Sequence, residues 1–147
     1  MVAARAAFDR AAATYDAAAA LQNEIGERMI ERLDFIRMQP RRVLDLGAGT
    51  GTFTAALLQR YRKAQVVALD IAPQMLQRVR TRGGWFRKPG CVCADAEALP
   101  FADDSFDFIF SNLMIQWCME IEPLFTELRR VLAPGGFLLF TPFGPDT

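Results

Sequence analysis

Val43-Leu44-Asp45-Leu46-Gly47-Ala48-Gly49-Thr50-Gly51-Thr52 decides how the rest of the chain is read. A short apolar run breaks off at three glycines, and Thr52–Tyr61 then takes up helical spacing. Strand, glycine turn and helix open an α/β unit, and glycine lets a ligand approach bare backbone because it carries no Cβ. Downstream the alternation repeats. Gln65–Leu69 reads as a second strand ending at Asp70. Pro73 suits a first helical position, Met75, Leu76 and Val79 supply the buried stripe, and Arg82-Gly83-Gly84 stops that helix. Cys91–Ala94 and Phe106–Phe110 are the third and fourth strands. Ile121, Leu124, Phe125, Leu128, Val131 and Leu132 mark a helix opened by Pro123 and closed by Pro134-Gly135-Gly136, and Phe137–Thr141 is the fifth strand. Apolar strands alternating with helices predict a doubly wound, mostly parallel α/β sheet covered on both faces. Upstream, residues 1–40 read as a helical segment packing on or capping the site. Leu21, Ile25, Met29 and Leu33 recur every four residues beside Ile30 and Ile36, and Pro40 ends the run. Residues 41–147 form the α/β core.

The 147 residues are 52 % apolar and 23 % charged, which suits one domain with its own core. Basic and acidic side chains number 17 each, a balance that argues against wholesale nucleic-acid binding. The sequence has no histidine, so Ser-His-Asp and Cys-His catalysis and a His-ligated zinc are excluded within it. No apolar run approaches the roughly 18 residues of a membrane span. Cys91, Cys93 and Cys118, with no signal-peptide pattern, point to a reducing compartment, by default the cytoplasm. Cys91 and Cys93 are expected as small core residues, and the spacing is too poor for a metal. Charge is uneven along the chain: residues 1–88 carry 15 basic and 8 acidic groups, residues 89–147 carry 2 and 9. That is two solvated faces, or a dipolar surface that steers a charged partner. Arg78, Arg80, Arg82, Arg87 and Lys88, with Trp85 and Phe86, are a solvated helix end or a dock for an acidic partner.

The glycine loop does not fit a dinucleotide, because Thr52 stands where the third glycine of G-x-G-x-x-G belongs, and no Gly-Lys-Ser/Thr follows to make a phosphate loop. Asp45 precedes the first glycine by two residues. A carboxylate there is a poor neighbour for pyrophosphate and a good one for an ammonium or sulfonium. Asp70 follows Gly51 by nineteen residues, about the spacing of a carboxylate that accepts from ribose hydroxyls. Asp95, after the third strand, can accept from an exocyclic amine. Each acid alone reads equally well as a turn residue or helix cap; all three at strand ends on one rim are the specific signal.

Asp45-Leu46-Gly47-Ala48-Gly49-Thr50-Gly51, Asp70, Asp95-Ala96, Phe106-Asp107 and Leu132-Ala133-Pro134-Gly135-Gly136 together resemble the class I S-adenosylmethionine-dependent methyltransferases. The resemblance implies a Rossmann-like fold and S-adenosylmethionine as cofactor. Asp45, Gly47, Ala48 and Gly49 would hold its methionine part, and Asp70 the ribose. Ile71 and Met75 would face the adenine, Asp95 with Ala96 would meet the adenine amine, and Asn112 would line the methyl-transfer pocket. A narrower resemblance is to the malonyl-acyl carrier protein O-methyltransferases of biotin synthesis. It is carried by Phe8-Asp9-Arg10-Ala11-Ala12, Tyr15-Asp16, Leu21-Gln22, Ser111-Asn112-Leu113, Gln116-Trp117 and Phe143-Gly144-Pro145-Asp146-Thr147. It implies methylation of the free carboxylate of malonyl-acyl carrier protein or malonyl-CoA, with Tyr15 and Asn112 as substrate-positioning residues and the basic stretch as a dock for the carrier. The carboxylate is ionised at neutral pH and needs no general base. The alternatives are another small acceptor, such as a quinone precursor, or a cofactor-binding fragment without activity. The family fold continues for two more strands, so this sequence reads as truncated after the fifth. Its apolar Phe137–Phe140 edge is then open to self-association.

Overall fold

In chain order the elements are α1, helical over 19–32 and closed by the 3-10 turn Leu33–Phe35, then β1 (Arg42–Leu46), α2 (Thr52–Arg60), β2 (Gln65–Asp70), α3 (Pro73–Val79), β3 (Gly90–Cys93), β4 (Phe106–Ser111), α4 (Ile121–Val131) and β5 (Leu132–Phe140). The structure is a computed structural model, and it describes residues 17, 19–82, 87–112 and 121–141. The strands form one sheet of order β3-β2-β1-β4-β5, parallel at every pairing, which is the doubly wound arrangement the alternation predicts. None of the helices among the described residues is long and apolar enough to cross a membrane.

Side chains alternate across the sheet with the period of two that strands impose. Val43, Val66, Phe108 and Phe110 face one way, onto Met29 and Leu33 of α1 and Leu57 and Leu58 of α2. Leu44, Leu46, Leu69 and Ile109 face the other, onto Leu99 and onto Leu124, Leu128 and Val131 of α4. α3 closes the first layer by placing Leu76 and Val79 on Ala48 and Ala68. Four of the five residues of β1 are therefore buried, as a central parallel strand requires, and Asp45 is among them.

Three expectations are corrected. The helix of the first forty residues does not run to Pro40. It ends in the turn Leu33–Phe35, and Ile36 is already extended at φ −112°, ψ 117°. Leu33 already seats the end of α1 in the core, and Ile36 and Met38 pack on the same cluster beyond it, so the chain turns there to enter β1. Cys93 is not a core residue. It shares a face with Cys91, but as the last residue of its strand it reaches the exposed rim. The basic stretch is not one surface. Arg87 donates through Nη1 to the Leu58 carbonyl and through Nη2 to those of Tyr61 (3.0 Å) and Ala64 (2.8 Å), which closes the C-terminal end of α2. Arg82 turns onto the glycine loop. Gly83, Gly84, Trp85 and Phe86 lie outside the described residues, as does Cys118.

Candidate functional site

Every strand is parallel, so the loops that follow β1, β2, β3 and β4 share one rim. The crevice of such a sheet lies where the strand order reverses, between β1 and β4. A cavity of about 190 Å³ occurs there. Asp45 of β1 and the loop after it, with Gly47, Ala48, Gly49 and Thr50, build one wall, and α2 adds Thr52 and Phe53. Met75 of α3, Asn112 at the end of β4, and Ala19, Gln22 and Asn23 of α1 complete it.

The loop closes on itself through the Gly51 N–H, which donates to the Ala48 carbonyl at 3.0 Å, and is otherwise held by its neighbours. The Gly47 and Ala48 N–H groups donate to the Leu69 carbonyl at 2.9 and 3.0 Å, and Arg82 Nε donates to the Thr50 carbonyl at 3.2 Å. Gly51, the N-cap of α2, sits at φ +88°, and a Cβ there would come within 3.1 Å of Val79 and Arg82. Gly49, at φ +57°, has nothing within 4 Å of the position a Cβ would take, so the loop presents bare backbone to open space.

Two carboxylates belong to this rim, one bound to the loop and one buried beneath it. Asp70 accepts from the Gly49 N–H at 2.8 Å through Oδ2 and from the Ala72 N–H at 2.9 Å through Oδ1. It thereby ties the glycine loop to the start of α3, and each oxygen keeps a lone pair for a hydroxyl. Asp45 is only 2 % exposed. Burial pushes its carboxyl up from 3.8 to about 7, the negative Asp70 nearby pushes the same way, and the Thr54 hydroxyl, donating at 2.6 Å, pulls it back. A buried acid beside a second acid favours a cation between or beside them.

Asp45, Gly47, Ala48, Gly49, Met75 and Asn112 thus come together in one cavity, with Asp70 joined to it through Gly49. Ile71, 69 % exposed, stands on the same rim outside the cavity lining. Asp95 and Ala96 are also outside the lining, and Asp95 Oδ1 accepts from the Glu97 N–H at 2.9 Å as a turn residue does. Tyr15 and the other residues of 1–16 lie outside the described residues. Asp107 belongs to the opposite rim, where Oδ2 accepts from the Arg41 and Arg42 N–H groups at 3.0 Å and fixes the start of β1. Sequence reasoning missed Thr54, Phe53 and Arg82. Of these only Thr54 left a signal: a polar residue on the inward face of the helix that follows the loop.

Residues 44–140 match the family model described as a methyltransferase domain. The malonyl-[acyl-carrier protein] O-methyltransferase of Halorhodospira halophila is 56 % identical over 97 % of this chain and 48 % of that protein. The protein of the same name from a Methylovorus species is 50 % identical over 97 % of this chain and 50 % of its own length. The crystal structure of an S-adenosylmethionine dependent methyltransferase from Mesorhizobium loti superposes with a TM-score of 0.59 at 30 % identity, over 69 % of this chain and 45 % of that one. The chain spans about half the length of the curated relatives it matches. Glycine loop, rim carboxylates and sheet order all lie within the matched residues, and on that ground the chain belongs to the methyltransferase domain family.

Proposed function

We propose that this chain binds S-adenosylmethionine at the glycine loop and serves a methyltransferase that esterifies the free carboxylate of a malonyl thioester, on acyl carrier protein or coenzyme A, in biotin synthesis. The observation that carries the proposal is that buried Asp45 lines one cavity with the open Gly49 backbone, whose N–H is held by Asp70. That arrangement suits a ligand with hydroxyls at one end and positive charge at the other. The acceptor is supported by the relatives that are named malonyl-[acyl-carrier protein] O-methyltransferase, at up to 56 % identity.

The residues present fit the cofactor. Asp45, Gly47, Ala48 and Gly49 would hold its amino-acid end, Asp70 the ribose hydroxyls, and Ile71 and Met75 the adenine. Asp95 and Ala96 would meet the adenine edge, and Asn112 would border the point of transfer. When bound, S-adenosylmethionine supplies a methyl group activated by a positive sulfur. The protein's part is to exclude water and hold the acceptor in line; alignment of this kind is worth roughly 7–11 kcal/mol. An ionised carboxylate has no proton to lose, so the site needs no base. A cytoplasmic setting goes with this reading, since carrier-protein and coenzyme A thioesters are its substrates.

Calorimetric titration tests the cofactor. S-adenosylmethionine should bind the parent chain, and Asp70→Ala should weaken it at least about tenfold, given charge-assisted hydrogen bonds worth roughly 1.5–3 kcal/mol. Methyl transfer offered malonyl-CoA and a quinone precursor in parallel tests the acceptor, and only the malonyl ester is expected. Binding without transfer to either leaves a cofactor-binding unit; absence of binding overturns the proposal.

A further inference from the structure

α1 meets the cavity through a pair of reciprocal bonds. Gln22 Nε2 donates to the Asn112 carbonyl at 2.6 Å, and Asn112 Nδ2 donates to the Gln22 carbonyl at 2.8 Å. Residues 22 and 112 are ninety apart in the chain, and both line the cavity. One helical turn on, Gly26 is buried, and a Cβ there would lie 2.2 Å from the Phe53 ring and 2.7 Å from Asn112 Nδ2. Any side chain at 26 would lever α1 off the rim. Phe53 also lines the cavity, and its ring packs on Phe110 at 6.0 Å. Helix, strand end and first turn of α2 are therefore fixed against one another at one wall of the cavity.

From this we propose that Gln22 is a positioning residue for the methyl-donor site: its exchange of hydrogen bonds with Asn112, seated by Gly26, sets the wall that holds the amino-acid end of the donor. The inference rests on the cofactor reading above. Asn112 is 5 % exposed and follows the last residue of β4, so its backbone carbonyl needs a donor and its amide needs a fixed rotamer. Gln22 answers both from a separate element. Removing the Gln22 side-chain amide leaves the Asn112 carbonyl without its donor and breaks one of the two bonds that hold the near end of α1 to the end of β4. The adenosine side is built from Asp70, Ile71 and Met75, none of which touches α1 by these bonds, and it stays as it is.

The test separates the two ends of the ligand. S-adenosylmethionine and 5′-methylthioadenosine, which lacks the amino-acid end, are titrated into the parent chain, Gln22→Ala and Gln22→Glu, with thermal melts as a check on folding. Glu keeps the volume of Gln but, ionised, cannot donate to the Asn112 carbonyl. Both variants should lose about five- to tenfold in affinity for S-adenosylmethionine, the size of one hydrogen bond, while 5′-methylthioadenosine stays within twofold of the parent. Equal losses for the two ligands, or a Gln22→Glu chain that binds S-adenosylmethionine like the parent, overturn the positioning role and leave the cofactor reading standing. A parent chain that binds neither ligand overturns the cofactor reading, and the inference falls with it.

Discussion

At the scale of single residues, Asp45 is where burial and function conflict. In the unfolded chain it ionises near 3.8, and in the fold it keeps its proton up to about 7. The stability tied to that difference is whole below pH 3.8 and is lost as pH rises to about 7. Asp45→Asn removes the loss and still accepts from Thr54. The ligand-free variant should therefore melt above the parent at pH 8 and close to it at pH 4, which paired calorimetric scans check. A bound cation reverses the balance by drawing the carboxyl back down, so uptake of S-adenosylmethionine should expel a proton below pH 7. Affinity should fall by up to about tenfold per pH unit there and level off above, and Asp45→Asn should flatten the profile. Titration at pH 6 in buffers of different ionisation enthalpy reads the proton directly. A pH-independent affinity in the parent would refute the coupling.

Among the elements, the short helices are the ones that borrow their ends. α2 has no side-chain cap at Gly51, and its last carbonyls are met by Arg87, nearly thirty residues away in sequence. Arg87→Ala leaves the Leu58, Tyr61 and Ala64 carbonyls without that donor, at a cost of about 2–3 kcal/mol and a melting temperature lower by about 5–10 °C. Arg80→Ala, on an exposed residue at the end of α3, should stay within about 0.5 kcal/mol. Thermal melts of the two variants side by side decide it, and equal melting would restore the reading of the stretch as one solvated surface. The pair also shows what a sequence can and cannot disclose. The five strands, the glycine turn and the Asp45–Asp70 pairing were legible because each is written in neighbouring residues: an apolar run, three glycines, a terminal acid. Arg80 and Arg87 look alike in sequence, and what separates them is a contact across the fold. The bonds between Gln22 and Asn112, and the close seat of Gly26 beside them, escaped for the same reason. The end of α1 escaped because it is set by packing of Leu33, Ile36 and Met38 on the sheet beneath, not by Pro40.

Across the whole molecule, the strand order decides where charge and open edges fall. Residues 89–147 carry most of the uncompensated acid, yet they supply β3 at one edge and β4 and β5 at the other, so the sequence asymmetry does not become two opposed faces. Ion pairs tie parts of it down locally: Arg42 with Asp107 at 3.9 Å, and Arg130 with Asp103 at 3.0 Å. The edges differ in kind. β3 is four residues long, whereas β5 ends in the run Phe137-Leu138-Leu139-Phe140, paired to β4 on one side only among the described residues. A long apolar strand with an open row of backbone donors and acceptors is a template for a further strand. The 147-residue chain should therefore self-associate through β5. Sedimentation over a wide range of concentration should show the average mass rising, and hydrogen exchange at 137–140 should slow in step with it because the outer amides gain partners. The Asp45 and Asp70 carboxylates lie in the β1–β2 half of the rim, away from that edge, so association should leave S-adenosylmethionine affinity unchanged. A chain that stays monomeric while the 137–140 amides exchange freely would show that the edge is protected by its own twist and burial instead.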